Sequence, residues 1–305
     1  MNIKYPCLTR PMTIKGVTFR NRMAASPMMV PELRLDGTAD PMHVGLFRQK
    51  AEGGSALVTV GEVDVDHRFA NREHIPWMEK VDYSDLNSPF LAGFRAYADA
   101  IHSSRAVAMI QTNHAGESKL PEPGDEAPRG PMSYRRADGV DIVAMDEEVM
   151  AYTVEHFASC ARFMREAGFD GVQIHCGHGW LLHQFLSPRT NRRADAYGGS
   201  RENRERFPLM VLQAVRQAVG PDFLVEIRVS GEERMPGGST AGDPIRTTCG
   251  SAWSVPPRIG PPGRPSGLSW GRITGATVWA VGWPGPWTWP SCARGSSGTR
   301  SPWKS

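Results

Sequence analysis

Short runs of consecutive apolar residues alternate along the first 230 positions with longer stretches whose apolar residues return every three or four positions. Ala56-Leu-Val-Thr-Val60, Ala106-Val-Ala-Met-Ile110, Val172-Gln-Ile174 and Phe223-Leu-Val-Glu-Ile-Arg-Val229 are of the first kind. Such runs read as strands buried on both faces. Ile14-Lys-Gly-Val-Thr-Phe19 instead alternates, so residues 12–30 read as a strand entering a turn. Between these runs the spacing is helical. Asp40 and Pro41 start a helix that Gly53 and Gly54 stop. Leu91, Phe94, Ala98 and Ile101 share one face of a second. A third begins at Asp146, carries Val149, Thr153, Phe157, Cys160, Met164 and Ala167, and ends at Gly168. A fourth begins at Ser200, has Pro208 as a kink and stops at Gly220. Residues 115–140 are rich in Pro, Gly and charge and form a long excursion, which in a compact domain usually carries function.

Strand and helix therefore take turns, the pattern of a parallel sheet with helices outside. No Gly-x-Gly-x-x-Gly turn follows the first strand. The expected fold is an α/β (β/α)8 TIM barrel, incomplete, with about five βα units legible in residues 1–240. Chemistry in such barrels sits at the C-terminal strand ends. Ser26, Pro27, Met28, Gly61, Glu62, Gln111, His175, His178 and Arg228 fall there or just beyond.

Composition changes this picture only after residue 240. An apolar share of 40% and a charged share of 22% suit a globular chain with a sizeable core. Residues 241–305, however, hold seven of the nine tryptophans, ten prolines and eleven glycines, with no Glu, Phe, Tyr, Asn, Gln, His or Met. Out-of-frame translation of GC-rich DNA gives such a mixture, and the expectation is a disordered or badly packed tail. One strand-like patch, Ala276-Thr-Val-Trp-Ala-Val281, is bounded by glycines. The tail also carries seven basic residues and one acidic, leaving 28 basic and 31 acidic before it. The overall charge of +3 thus hides a mildly acidic body, and no nucleic-acid footprint is expected. Five scattered cysteines without a Cys-x-x-Cys pair suggest reduced thiols in a cytoplasm. No signal-peptide core and no run of about 18 apolar residues appear, so no membrane association is expected.

His175 and His178 follow a strand end three residues apart. Two imidazoles so placed can donate to one carbonyl oxygen and stabilise charge developing on it. The alternatives are a metal site built from His175, Cys176, His178 and His183, and two histidines merely satisfied in a tight turn. Gln111 ends an apolar strand, where its carboxamide can read a ring edge presenting donor and acceptor, or simply face solvent. Arg228 in its apolar strand suits an anionic or electron-rich ligand, and strict alternation argues against Glu226 as its structural partner. Arg201-Glu-Asn-Arg-Glu-Arg206 reads as a solvated first helical turn.

Taken in order, Ile14-Lys-Gly-Val-Thr-Phe-Arg-Asn-Arg22, Ser26-Pro-Met28, Gln111, Ala167-Gly-Phe-Asp-Gly171, the His175-x-x-His178-Gly turn, Phe185-Leu-Ser-Pro188, Tyr197-Gly-Gly-Ser200 and Glu202-Asn-Arg204 resemble the old yellow enzyme family of flavin oxidoreductases, enoate and 2,4-dienoyl-CoA reductases included. The resemblance covers roughly residues 8–235. It implies a TIM barrel holding FMN, reduced by NADH or NADPH, that passes hydride to an activated C=C bond of an enone or enoyl-CoA-like compound. By the same resemblance Ser26, Pro27 and Met28 would line the flavin, with Gly61 and Glu62 beside it. Gln111 would bond its pyrimidine edge, and Arg228 would offset charge on the reduced ring. His175 and His178 would hold the substrate carbonyl oxygen, with Trp180 lining the substrate pocket.

Two departures stand out. Many relatives have Tyr where this chain has Trp180, and an indole N–H is no useful acid. The family's last strands and phosphate-binding loops are not legible after residue 240. Longer relatives carry an iron–sulfur cluster that Cys249 and Cys292 do not reproduce. A non-catalytic remnant of such an enzyme and, more remotely, a metal-dependent barrel hydrolase are the competing readings. Association with a second copy is left open. Reading the gene in its other two frames after about codon 240 should restore a helix–strand pattern with a glycine-rich phosphate loop. If neither frame does so, the out-of-frame reading is wrong.

Overall fold

In the computed structural model, the apolar runs pair in parallel. The structure describes residues 5–72 and 74–240, together with the backbone of 254–255, 271–272 and 276–281. The elements that position the site are β1 (Ala24–Ala25), α1 (Pro41–Glu52), β2 (Leu57–Asp64), α2 (Phe90–His102), β3 (Val107–Asn113), α3 (Glu147–Glu166), β4 (Gly171–Cys176), α4 (Leu181–Leu186), α5 (Arg201–Val219) and β5 (Leu224–Ser230). Strands β1 to β5 lie side by side in chain order, every pair parallel. They form a five-strand half-barrel, an α/β architecture consistent with part of a TIM barrel. A further strand, β6 (Ala276–Val281), runs parallel beside β5. It coincides with the strand-like patch read in the tail. The rest of that reading lies outside the described residues.

Alternation along each strand sorts the side chains onto two faces. Val58, Val60, Ala108, Ile110, Val172, Ile174, Cys176, Val225, Ile227 and Val229 point outward and form one buried cluster with the helices. Phe94, Phe157, Phe163 and Phe207, all fully buried, supply much of the helical side of that cluster. The inward face starts apolar at the strand beginnings, with Leu57, Val107, Met109 and Leu224. It turns polar toward the strand ends, with Gln111, Gln173, Glu226, His175 and Arg228.

The segment over residues 12–30, read as a strand entering a turn, is a hairpin followed by the short β1. Met12–Ile14 pairs antiparallel with Val17–Phe19. Lys15 and Gly16 both have positive φ, +51° and +80°, as a tight two-residue hairpin turn requires. Met12, Ile14, Val17 and Phe19 pack on the inner cluster and close the bottom of the half-barrel. Alternation revealed the half-buried strand but not which sheet it would join.

The helix signals hold locally. Asp40 accepts hydrogen bonds from the backbone N–H groups of Met42 and His43, Asp146 from Val149 and Ser200 from Asn203. Helix α5 runs through Pro208. Its first turn is not solvated as expected. Arg204 is buried, with Nε donating to Leu186 O at 2.8 Å and Nη1 to Gly199 O at 2.5 Å. The first bond fastens α5 to the end of α4, and the second holds the segment that leads into α5. The excursion at 115–140 contains two short strands, Arg129–Gly130 and Tyr134–Arg135, both paired with Asp141–Ala144.

Gly171 shows how tightly the inner face is closed. A Cβ there would lie 2.5 Å from Leu224 Cβ and 2.6 Å from Leu224 O. Gly171→Ala must therefore push β4 from β5, and overpacking of this kind costs about 1–3 kcal/mol. A clear loss of unfolding free energy in urea titration is expected, and an unchanged midpoint would contradict the packing.

Candidate active site

The parallel register brings the polar inward residues together. Gln111 on β3 sits opposite Gln173 on β4, and Gln173 sits opposite Glu226 on β5. All three are buried. Gln111 Nε2 donates to Gln173 Oε1, and Gln173 Nε2 donates to Glu226 Oε1. Two residues further along the strands, His175 is opposite Arg228. One polar layer thus lies directly below another.

Strand β2 reaches this site through an irregularity. Its register with β3 shifts between Val60 and Val63. Gly61 has φ +142°, and a Cβ on it would lie 2.8 Å from Gln111 Cβ, so only glycine fits this crossing. The Gly61–Glu62 peptide is cis. Gly61 N donates to Met29 O at 3.2 Å, which ties the Ser26–Pro27–Met28 segment after β1 to the same strand end. Ser26 and Met28 are exposed and Pro27 partly so. Glu62 is carried toward β4, with Oε2 3.6 Å from His175 Nε2.

His175 is buried, and its Nδ1 accepts the Gly177 N–H at 3.2 Å. That contact assigns the ring proton to Nε2 in the neutral form. Burial, with His178 and Arg228 adding to it, pushes its pKa down to about 2. Burial also lowers the pKa of His178. Both rings are therefore neutral donors. The two ring centroids are 4.9 Å apart, edge to face. His178 has φ +57°, a left-handed conformation uncommon outside glycine, and its N–H is held by Ser230 Oγ at the end of β5, at 3.0 Å. Trp180 precedes α4, its ring 6.3 Å from that of His175 and 5.6 Å from the Arg72 guanidinium. Gln184 on α4 donates to Ala115 O and Gly179 O and accepts from Glu117 N, which joins the loops after β3 and β4.

Strand alternation separates two of the residues of the metal reading. His175 faces inward, whereas Cys176 packs in the outer cluster. Among the described residues no group of three or more His, Cys, Asp and Glu could hold a metal ion.

Sequence reasoning brought out Gln111, Glu62, His175, His178 and Arg228, which the structure brings to one mouth, and Ser26, Pro27, Met28 and Trp180, which border it. It missed Gln173 and set aside Glu226. A polar residue at the same alternation phase in three apolar strands was the available signal. Glu226 bonds Gln173 and is not hydrogen-bonded to Arg228. It still acts on that guanidinium electrostatically, as does Glu62.

A cofactor edge finds partners here. Arg228 Nε is buried without a hydrogen-bond partner among the described residues. Gln111 has committed only Nε2 to Gln173. Both atoms suit an electron-rich ring that offers acceptors beside a donor, as the flavin pyrimidine edge does.

Burial raises the Glu62 carboxyl to about 7, against the pull of Arg228 and Arg72. Its folded pKa thus exceeds its unfolded one, so ionised Glu62 costs stability as pH rises from about 4.5 to about 7. Glu62→Gln should therefore raise the unfolding free energy on the order of 1–3 kcal/mol at pH 8 and little at pH 4.5. Equal effects at both values would refute the raised pKa.

The profile described as the NADH:flavin oxidoreductase / NADH oxidase family matches residues 7–251. The chain is 31% identical to an NADH oxidase of Thermoanaerobacter brockii over 242 residues, covering 77% of this chain and 36% of that protein. It is 32% identical to an NADPH dehydrogenase of Bacillus subtilis (strain 168), covering 78% and 68%. The solved structure of a 2-naphthoyl-CoA reductase complex superposes with a TM-score of 0.68 at 25% identity, covering 78% of this chain and 37% of that one. The chain thus spans about a third of the longer relatives it matches.

Proposed function

Because the chain belongs to the NADH:flavin oxidoreductase / NADH oxidase family, the old yellow enzymes, we propose that its mouth binds FMN and a small α,β-unsaturated carbonyl compound. The observation that carries this reading is the pair of neutral imidazoles, His175 and His178, set beside Arg228 one layer above the Gln111 carboxamide. FMN, if bound, would supply the hydride chemistry between NADH or NADPH and the β-carbon of the conjugated substrate.

The chain's own residues bind, orient and polarise. Gln111 would offer its carboxamide to the ring edge, and Arg228 would supply positive charge beside it. Ser26, Pro27, Met28 and Gly61 border the same opening and form its wall. His175 offers Nε2–H to the substrate oxygen, its Nδ1 being engaged by Gly177. Neutral donors of low basicity stabilise a developing enolate oxygen without first losing a proton to it. Trp180 closes the substrate side but cannot deliver a proton to carbon, so the proton that completes the reduction at the α-carbon would come from solvent water.

Purified full-length chain should be yellow and release FMN on denaturation, and a colourless soluble protein would instead support the non-catalytic remnant. His175→Ala and His178→Ala should each weaken binding of a phenol or enone by about tenfold or more while FMN stays bound. Optical titration of the long-wavelength phenol band reads this directly, and unchanged affinity would contradict their role.

A further inference from the structure

The layer beneath the histidines contains a feature the proposed chemistry does not use. Gln111, Gln173 and Glu226 form one directed chain of side-chain hydrogen bonds across three strands, each buried and each a register partner of the next. A carboxamide can be turned end for end at almost no intrinsic cost, so its orientation must be set by a neighbour. Gln173 alone cannot set that of Gln111, because both are symmetric in the same sense. An ionised carboxylate can, because it only accepts.

We infer that Glu226, acting through Gln173, is a positioning residue that fixes which end of the Gln111 carboxamide faces the cofactor. The inference rests on the proposed flavin reading. The logic runs outward from β5. The Glu226 carboxylate takes the Gln173 Nε2 donor, which leaves Gln173 Oε1 toward β3. That oxygen takes one Gln111 N–H, so Gln111 Oε1 and its second N–H remain for a ring edge with a donor beside an acceptor. Turning any one amide would set two oxygens or two N–H groups against each other inside the barrel, and an unmade buried hydrogen bond is expensive. The same bond favours the ionised carboxylate. Burial raises Glu226 to about 7, while the Gln173 N–H and Arg228 oppose that rise. Gly61 packs against Gln111 Cβ at 2.8 Å from its own would-be Cβ position, which leaves the Gln111 side chain little room to leave the layer.

The test uses the full chain at pH 8, where Glu226 is ionised. Glu226→Gln keeps the volume but can present either an oxygen or an N–H to Gln173, so the chain loses its direction. Its FMN dissociation constant, read from the quenching of FMN fluorescence, should rise about tenfold. In a Gln111→Leu background the same substitution should cost nothing further, because the residue it positions is gone. Equal weakening in both backgrounds would reduce Glu226 to a general structural role and overturn the inference, as would no weakening in either. Gln173→Leu is the second variant and should reproduce the loss while leaving the circular dichroism melt cooperative.

Side-chain amide NMR of the protein without added flavin provides a separate readout. The Gln111 NH2 protons should exchange slowly with solvent in the parent chain and markedly faster in Glu226→Gln and Gln173→Leu. Unaltered exchange in both variants refutes the relay. If the parent chain fails to bind FMN but the amide protons respond as expected, the flavin reading falls and the relay stands.

Discussion

Parallel strands in register stack their inward side chains in layers, and the candidate site is built from that constraint. Gln111, Gln173 and Glu226 meet because β3, β4 and β5 are aligned at those positions, and His175 faces Arg228 for the same reason two residues later. A slip of one residue in β4 would send His175 and Gln173 into the outer apolar cluster and bring Ile174 and Cys176 inside. The outward valines, isoleucines and alanines packed beneath the helices therefore fix the chemistry as well as the fold. Their burial sets the register, and the register sets which polar groups can touch.

That arrangement concentrates ionisable groups in a space with little water. Glu62 and Glu226 are both held near 7, Arg228 is half-buried between them, and His175 is kept neutral. Each shift has burial as its largest cause, followed by partner charges at Glu62, Arg228 and His175 and by the Gln173 hydrogen bond at Glu226. Buried groups of this kind favour a ligand that brings its own hydrogen-bonding edge and can share charge with a guanidinium. Trp180, in contrast, adds no acid to this end of the strands and lies with its indole ring against the Arg72 guanidinium.

The helix caps at Asp40, Asp146 and Ser200 were legible because a cap is a contact between residues two or three apart. The histidine turn was legible for a similar reason, since its spacing survives any tertiary arrangement. The hairpin at residues 12–19 was legible only as a strand entering a turn, because alternation specifies a half-buried strand and says nothing of its partner. Arg204 was misjudged because its partners, Leu186 O and Gly199 O, are backbone groups that sequence does not display.

The sequence by itself determined the alternation of apolar strands with amphipathic helices, and hence a parallel half-barrel. It also determined which residues stand at the strand ends, because chain order and residue type are enough for both. Register, the crossing at Gly61 and the directed chain from Glu226 to Gln111 were decided only in the tertiary structure. Each depends on where two strands far apart in sequence stop sliding, and packing of the outer cluster settles that collectively. The placing of Glu62 beside His175 is the clearest case, for it follows from an irregular turn in β2 that no spacing along the chain encodes.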